Sequence, residues 1–422
     1  MRVVIATPAE RTHFLNLVPL AWALRAAGHE VLVASQPELA PSVATAGLPF
    51  APVGRDHDLR ALTRRMYSLP GAGEAVDWDD ERTWRMPWGV LRVHYRQVVA
   101  FWWKAMNELL VDDLVGLCRT WRPDLVVWEP TTFAGAVAAR ACGAAHVRFL
   151  WSLDLFARMR GLFLERMREQ PAASREDPLE EWLTGLAGRY GVDFDEELVF
   201  GQLTVDQVPP ELRLEVGGEV EYAGMRFVPY NGRAVVPAWL REPPERPRLC
   251  LTLGTSSAAW YGGHSSMTGA VVEALADVDA EVVATVPADR RRGLESPPPN
   301  VRLVDYVPLH ALAAASTATI NHGGPGSVLT SMAYGLPQAL MADPRLFDTP
   351  LLARRVAGAG AGVALGAEQA DPQALRGEAL RVLGDPDLRR HAARLREAML
   401  AQPAPAAMVA RLERHAAERR TA

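Results

Sequence analysis

The stretch Ala318-Thr319-Ile320-Asn321-His322-Gly323-Gly324-Pro325-Gly326-Ser327-Val328-Leu329-Thr330 decides how this chain is read. An apolar run ends in a polar pair, a glycine-rich turn follows, and apolar residues resume. That is the order strand, tight turn, helix. A helix start leaves N–H groups without intrahelical acceptors, and glycines let a ligand approach them closely. With the positive end of the helix dipole, such N–H groups form a seat for a diphosphate. A Gly-Gly-x-Gly turn has many purely structural precedents. Its place after a strand strengthens the functional reading, as does a parallel loop, Gly254-Thr255-Ser256-Ser257, after the apolar run Arg248 to Leu253. The spacing matches neither a Walker A loop nor a dinucleotide fingerprint, because the Lys-Ser/Thr pair and the Gly-x-Gly-x-x-Gly spacing are absent.

Outward from this turn the second half of the chain alternates regularly. Strands are predicted at Arg248 to Leu253, Glu281 to Thr285, Val301 to Tyr306, Ala318 to Asn321 and Pro337 to Met341. Helices are predicted at Met267 to Leu275, His310 to Ala315 and Ser327 to Tyr334, with further helices from about 371 to 419. The first half starts the same way. Strand Val3 to Ala6 leads through a loop bearing His13 into a helix near Asn16 to Ala27, which Gly28 stops before strand His29 to Ser35. Pro123 to Glu129 repeats the strand signal, followed by helix Phe133 to Cys142 and strand His146 to Trp151. The pattern predicts an α/β chain of two Rossmann-like, doubly wound domains facing a deep cleft. Their expected limits are 1–228 and 248–422, with a proline-rich linker at 229–247 and the last helix returning to the first domain. Ligands of such sheets sit at the carboxyl ends of strands, where His13, Glu129, Thr255 and His322 all fall.

Two stretches depart from the alternation, about 57–110 and 155–215, the second holding a helical run from Leu179 to Tyr190. Trp78, Trp84, Trp88, Trp102 and Trp103 cluster in the first. Such rings cap a core, line an apolar cleft or dock a partner, and the residues alone leave all three open.

The chain has 422 residues, 49% of them apolar, and a net charge of -5. That length exceeds one ordinary core, and the charge gives no broad attraction to nucleic acid or anionic membrane. Cys118, Cys142 and Cys250 are far apart and odd in number, which favours a reducing compartment over a disulfide framework or structural zinc. With no apolar run long enough to span a bilayer and no signal-peptide pattern, a cytoplasmic enzyme is expected.

The run His322 to Ser327, then Gly335-Leu336-Pro337-Gln338 and Phe347-Asp348-Thr349-Pro350, resembles the C-terminal signature of nucleotide-sugar-dependent glycosyltransferases of the GT-B fold. His13 to Pro19, Ala23 to Val31 and Ala46-Gly47-Leu48 agree with it at the N-terminal end. The chain is most similar to antibiotic enzymes that place deoxysugars, often amino sugars, on polyketide and macrolide aglycones. Trp121 to Pro130 and Glu221 to Gly232 resemble the desosaminyltransferase subgroup.

The resemblance implies inverting transfer from a dTDP-sugar co-substrate, with no tightly bound cofactor and no required metal. It also implies a cytochrome-P450-like activator protein as a partner, and it allows a homodimer. It places the catalytic base at His13, a residue type suited to taking a proton near neutral pH. Glu129 stands where many relatives have an aspartate that pairs with this histidine. The extra methylene leaves open a cap or an arginine pair instead, and Asp154 is a rival partner. On the donor side it implies diphosphate contacts from Thr255, Ser256, His322, Gly324, Gly326 and Ser327. Val307 would read the base, and Asp348 and Thr349 the sugar hydroxyls. Where glutamine is common this chain has Thr349, which suits a sugar with fewer hydroxyls or merely starts a helix. Trp84, Trp88, Phe149 and Trp151 are candidates for the acceptor wall. The competing readings are a transferase for another aglycone, a nucleotide-sugar epimerase, and a non-catalytic sugar-nucleotide-binding subunit.

Overall fold

The computed structural model describes residues 1–61, 63, 76–78, 80–218, 220–254, 265–288, 291, 294–342, 346–366 and 371–421. Thr255 and Ser256 lie outside them. The first sheet contains β1 (Arg2–Ala6), β2 (Glu30–Ser35), β3 (Phe50–Pro52), β4 (Leu125–Trp128), β5 (Ala145–Phe149), β6 (Thr204–Asp206) and β7 (Tyr222–Gly224). The second contains β8 (Arg248–Thr252), β9 (Glu281–Thr285), β10 (Val301–Val304), β11 (Ala318–Asn321), β12 (Gln338–Met341) and β13 (Gly362–Leu365). Their orders are β3-β2-β1-β4-β5-β6-β7 and β10-β9-β8-β11-β12-β13, and each neighbouring pair runs parallel.

The central strands are apolar because both faces are covered. Val3, Val4, Ile5 and Ala6 are fully buried, and Ile5 sits in register between Val33 and Val127. Ile320 lies likewise between Leu251 and Ala339. In each sheet the direction of winding reverses at one place, between β1 and β4 and between β8 and β11. That reversal opens a crevice beyond the strand ends.

The helix after β1 is Arg11–Ala26, so it starts earlier than its sequence pattern indicated. The Glu10 carbonyl accepts from the His13 and Phe14 N–H groups at 3.0 and 3.1 Å, closing the first turn. His13 is therefore on a helix and not in a loop. Short strands β3, β6, β7 and β13 were not predicted, and β6 falls in a stretch read as an insertion. The final helix, Pro405–Thr421, places Met408, Val409, Leu412 and Ala416 in one buried cluster with Val3, Phe14 and Leu17.

The helical insert includes Trp88–Val98, a π-helical turn Val99–Lys104 and a short helix Ala105–Asn107. Trp78, Trp84, Tyr95 and Trp103 are buried there in one cluster with Phe133 and Phe163. No helix among the described residues is long and apolar enough to cross a membrane.

Candidate active site

At the crevice between β1 and β4, His13 projects from the first turn of its helix toward Glu129, the residue after β4. His13 Nδ1 lies 3.1 Å from Glu129 Oε2; the histidine side chain is 20% exposed and the carboxylate 0%. Glu129 Oε2 also accepts from Trp151 Nε1 at 2.9 Å. Glu129 Oε1 accepts from the Thr131 N–H at 3.1 Å, the Thr131 hydroxyl at 2.6 Å and the Thr132 hydroxyl. Every lone-pair direction of the carboxylate is thus occupied, which is how a buried charge is held. The Trp151 ring stacks on His13 with centroids 4.5 Å apart at 27°.

Burial disfavours the His13 imidazolium. The Glu129 hydrogen bond and the charges of Glu129, Glu10 and Asp348 outweigh it, so the ring titrates above the ordinary histidine range. Burial equally opposes the Glu129 charge. The hydrogen bond and charge of His13, with the Thr131 and Thr132 hydroxyls, hold it below the ordinary carboxylate range.

The second crevice is built from backbone. Gly323 has φ +79 and its N–H donates to Asn321 Oδ1 at 2.8 Å. Asn321 Nδ2 in turn donates to Gln338 Oε1 at 3.0 Å, which braces the turn from β12. The His322 ring lies in a slot between two glycines. A Cβ on Gly254 would come within 2.3 Å of His322 Cε1, and one on Gly324 within 2.3 Å of His322 Nε2. A Cβ on Gly323 would come within 2.6 Å of the Thr349 methyl. The helix Pro325–Ala333 follows, with Gly324 in the N-cap position. The Ser327 N–H donates to the Gly324 carbonyl at 3.0 Å. Gly326, second in the helix, has an N–H without an intrahelical acceptor by helix geometry, and a Cβ there would meet nothing within 4 Å.

A family model described as the erythromycin biosynthesis protein CIII-like N-terminal domain matches residues 22–254, and the corresponding C-terminal domain model matches 269–415. The chain belongs to this family. It is a GT-B glycosyltransferase. It is 46% identical over 422 residues to the 10-deoxymethynolide desosaminyltransferase of Streptomyces venezuelae, covering 100% of this chain and 98% of that one. It is 43% identical to the 3-alpha-mycarosylerythronolide B desosaminyl transferase of Saccharopolyspora erythraea, covering 100% and 99%. Among solved structures it is similar to the glycosyltransferase VinC in complex with dTDP, with a TM-score of 0.87, 36% identity and 99% and 100% of the two chains covered.

Asp348 of the transferase comes from the C-terminal half and is 5% exposed. Burial pushes its carboxyl above the ordinary range; the Ser152 hydroxyl beside it, its own backbone N–H and the His13 charge offset this only in part. Asp348 Oδ2 and Ser152 Oγ are buried neighbours, and neither makes a well-aligned hydrogen bond among the described residues. Phe156 and Phe347 stack between the two halves, with centroids 5.0 Å apart at 23°. Thr349 opens the helix Thr349–Gly358 and is 1% exposed.

The other expected residues have the following surroundings. Val307 is 4% exposed and packs with Leu240, Cys250 and Leu312. Tyr306 Oη beside it lies 2.8 Å from both the Asn231 and the Arg233 carbonyl, which share its single hydrogen. Phe149 is fully buried in the cluster with Leu17 and Met408, so it does not face a ligand. Trp84 is buried and its Nε1 donates to the Trp78 carbonyl at 3.0 Å. Trp88 donates to the Ser174 carbonyl at 2.9 Å and packs on Phe163 at 5.2 Å. Of the four acceptor candidates, Trp151 is the one that touches His13. Asp154 is not a rival partner: it pairs with Arg148, accepts from Tyr222 Oη at 2.7 Å and caps Ala157 N–H at 3.1 Å. Among the described residues no group of three or more His, Cys, Asp or Glu is placed to hold a metal ion. Sequence reasoning missed Asn321 and Ser152, although Asn321 stood inside the motif that was read.

Proposed function

We propose that this transferase moves a deoxysugar, an amino sugar by preference, from a dTDP-sugar to a hydroxyl of a polyketide or macrolide aglycone, with inversion. The observation that carries the reading is the His13–Glu129 pair, its ring held from Nδ1 at 3.1 Å with no partner on Nε2 among the described residues. The acceptor hydroxyl gives its proton to His13 Nε2. Its oxygen attacks the anomeric carbon as the bond to the diphosphate breaks, and Glu129 steadies the imidazolium that forms. The diphosphate leaves toward the Gly326 N–H and His322. One displacement inverts the centre. Asp348 takes a sugar hydroxyl, Thr349 leaves room for a sugar lacking one, and Trp151 and Phe156 offer an apolar acceptor wall.

The names of the relatives support both substrate classes, and the dTDP complex of VinC supports thymidine as carrier. The test is a panel of dTDP- and UDP-deoxysugars with macrolactone and aromatic aglycones, each with and without a cytochrome-P450-like activator, read by product mass. Glycoside is expected from dTDP donors, with the activator raising turnover. Isomerised free donor without acceptor, or donor binding with no transfer in any arm, would sink the reading.

A further inference from the structure

We propose that Asn107 is the positioning residue of the His13–Glu129 pair, an inference that rests on the catalytic role given to that pair. Thr132 occupies the N-cap position of the helix Phe133–Cys142, where a threonine ordinarily caps its own helix. Here it makes no such cap, because its hydroxyl donates to Glu129 Oε1. The vacated acceptor role is filled from another helix. Asn107 Oδ1 accepts the Ala134 N–H at 2.8 Å. Its Nδ2 donates to the Thr131 carbonyl at 2.8 Å and to the Trp103 carbonyl at 2.7 Å.

Asn107 is 1% exposed, and both its amide hydrogens and its oxygen are engaged. No other common side chain of this size offers two donors and an acceptor in one plane. Asn107 therefore grips the Glu129–Ala134 turn from both sides of Thr132. It frees that hydroxyl for the carboxylate and ties the turn to Trp103 in the π-helical turn Val99–Lys104. π-Helical turns recur at functional places. The chain of contact runs from the inserted helix through Asn107 to Glu129 and then His13. Without Asn107, Thr132 can turn back to cap its own helix, and Glu129 loses a fixed place beside the ring.

The experiment is Asn107→Ala in the full-length enzyme, with Asn107→Ser as the second variant. Serine leaves a polar group in the buried site while losing the tie to Thr131, and so gives a second folded variant should alanine fail to fold. Three readouts separate positioning from mere stability. Turnover should fall about 10- to 100-fold, the range for removing an outer partner, with donor KM unchanged. The acid limb of the turnover profile should move down as Glu129 leaves the ring, with Glu10 and Asp348 still facing it. In NMR spectra the downfield Nδ1–H proton of His13 should weaken whatever the activity. A variant with native turnover, acid limb and Nδ1–H signal overturns the assignment, as does one whose only change is in melting temperature or KM. A His13→Ala control tells the two readings apart. If it keeps turnover, the catalytic reading fails; if it loses turnover while the Asn107 variants behave as wild type, only the positioning role fails.

Discussion

The crevice between β1 and β4 and the crevice between β8 and β11 share a topology and differ in what fills them. The first is a saturated side-chain network: Glu129 accepts from His13, Trp151, Thr131 and Thr132 before any substrate arrives. The second is backbone and glycine, and the side chains beside it are not saturated. Asp348 Oδ2 and Ser152 Oγ, one from each half, are buried neighbours, and neither makes a well-aligned hydrogen bond among the described residues. A buried polar atom without a well-aligned partner is costly. On the proposed reading the proton-handling side is pre-assembled, and the side meant for the sugar keeps polar atoms for the sugar to meet.

The largest way to break this contrast is His13→Ala. Removing a general base typically costs about 10²–10⁴ in rate, and the network behind it in the first crevice should not alter nucleotide affinity in the second. Turnover measured at saturating donor should fall by that range, while dTDP binding by calorimetry stays at the wild-type value. Equal loss of both would mean that the two crevices do not divide the work.

Gly324→Ala makes the converse test. Its φ of -62 suits any residue, so backbone strain plays no part. The added Cβ would lie within 2.3 Å of His322 Nε2, and the ring must leave its slot. Losing one hydrogen bond to a charged phosphate costs about 1.5–3 kcal/mol, roughly ten- to a hundredfold in dTDP affinity. The acid limb set by His13 should stay in place. Unchanged affinity would show that His322 does not serve the diphosphate.

The two crevices were also unequally legible in the sequence. The glycine turn announces itself, because only glycine tolerates the φ of +79 at Gly323 and the imidazole against Gly324 and Gly254. The alternating long strands gave both sheets. Strands β3, β6 and β7 span only three residues each, too short for a period to register. Around Glu129 the local part was readable, since Thr131 and Thr132 follow it directly. Asn107 and Trp151 reach the site only through tertiary packing. Trp151 is expected at the acceptor wall because an indole beside a cleft looks apolar, and the sequence does not show that its N–H also donates to Glu129.

That N–H supplies the smallest and sharpest prediction. Trp151 Nε1 and His13 Nδ1 share Glu129 Oε2 at 2.9 and 3.1 Å. Trp151→Phe keeps a ring to stack on the imidazole and removes the competing donor. The carboxylate then gives more of its charge to His13 and raises the pKa of a group already above about 6.5. A base acts in its neutral form, so turnover rises as pH climbs through that pKa. The acid limb should therefore move to higher pH, opposite in sign to the Asn107 variants. Turnover on the alkaline plateau should change only a few-fold, since Glu129 keeps its bonds from His13, Thr131 and Thr132. A pH profile of turnover at saturating donor and acceptor reads both quantities. A downward shift would mean that Trp151 holds the pair together and does not compete within it, and the first crevice would then depend on its aromatic wall as much as on its hydroxyls.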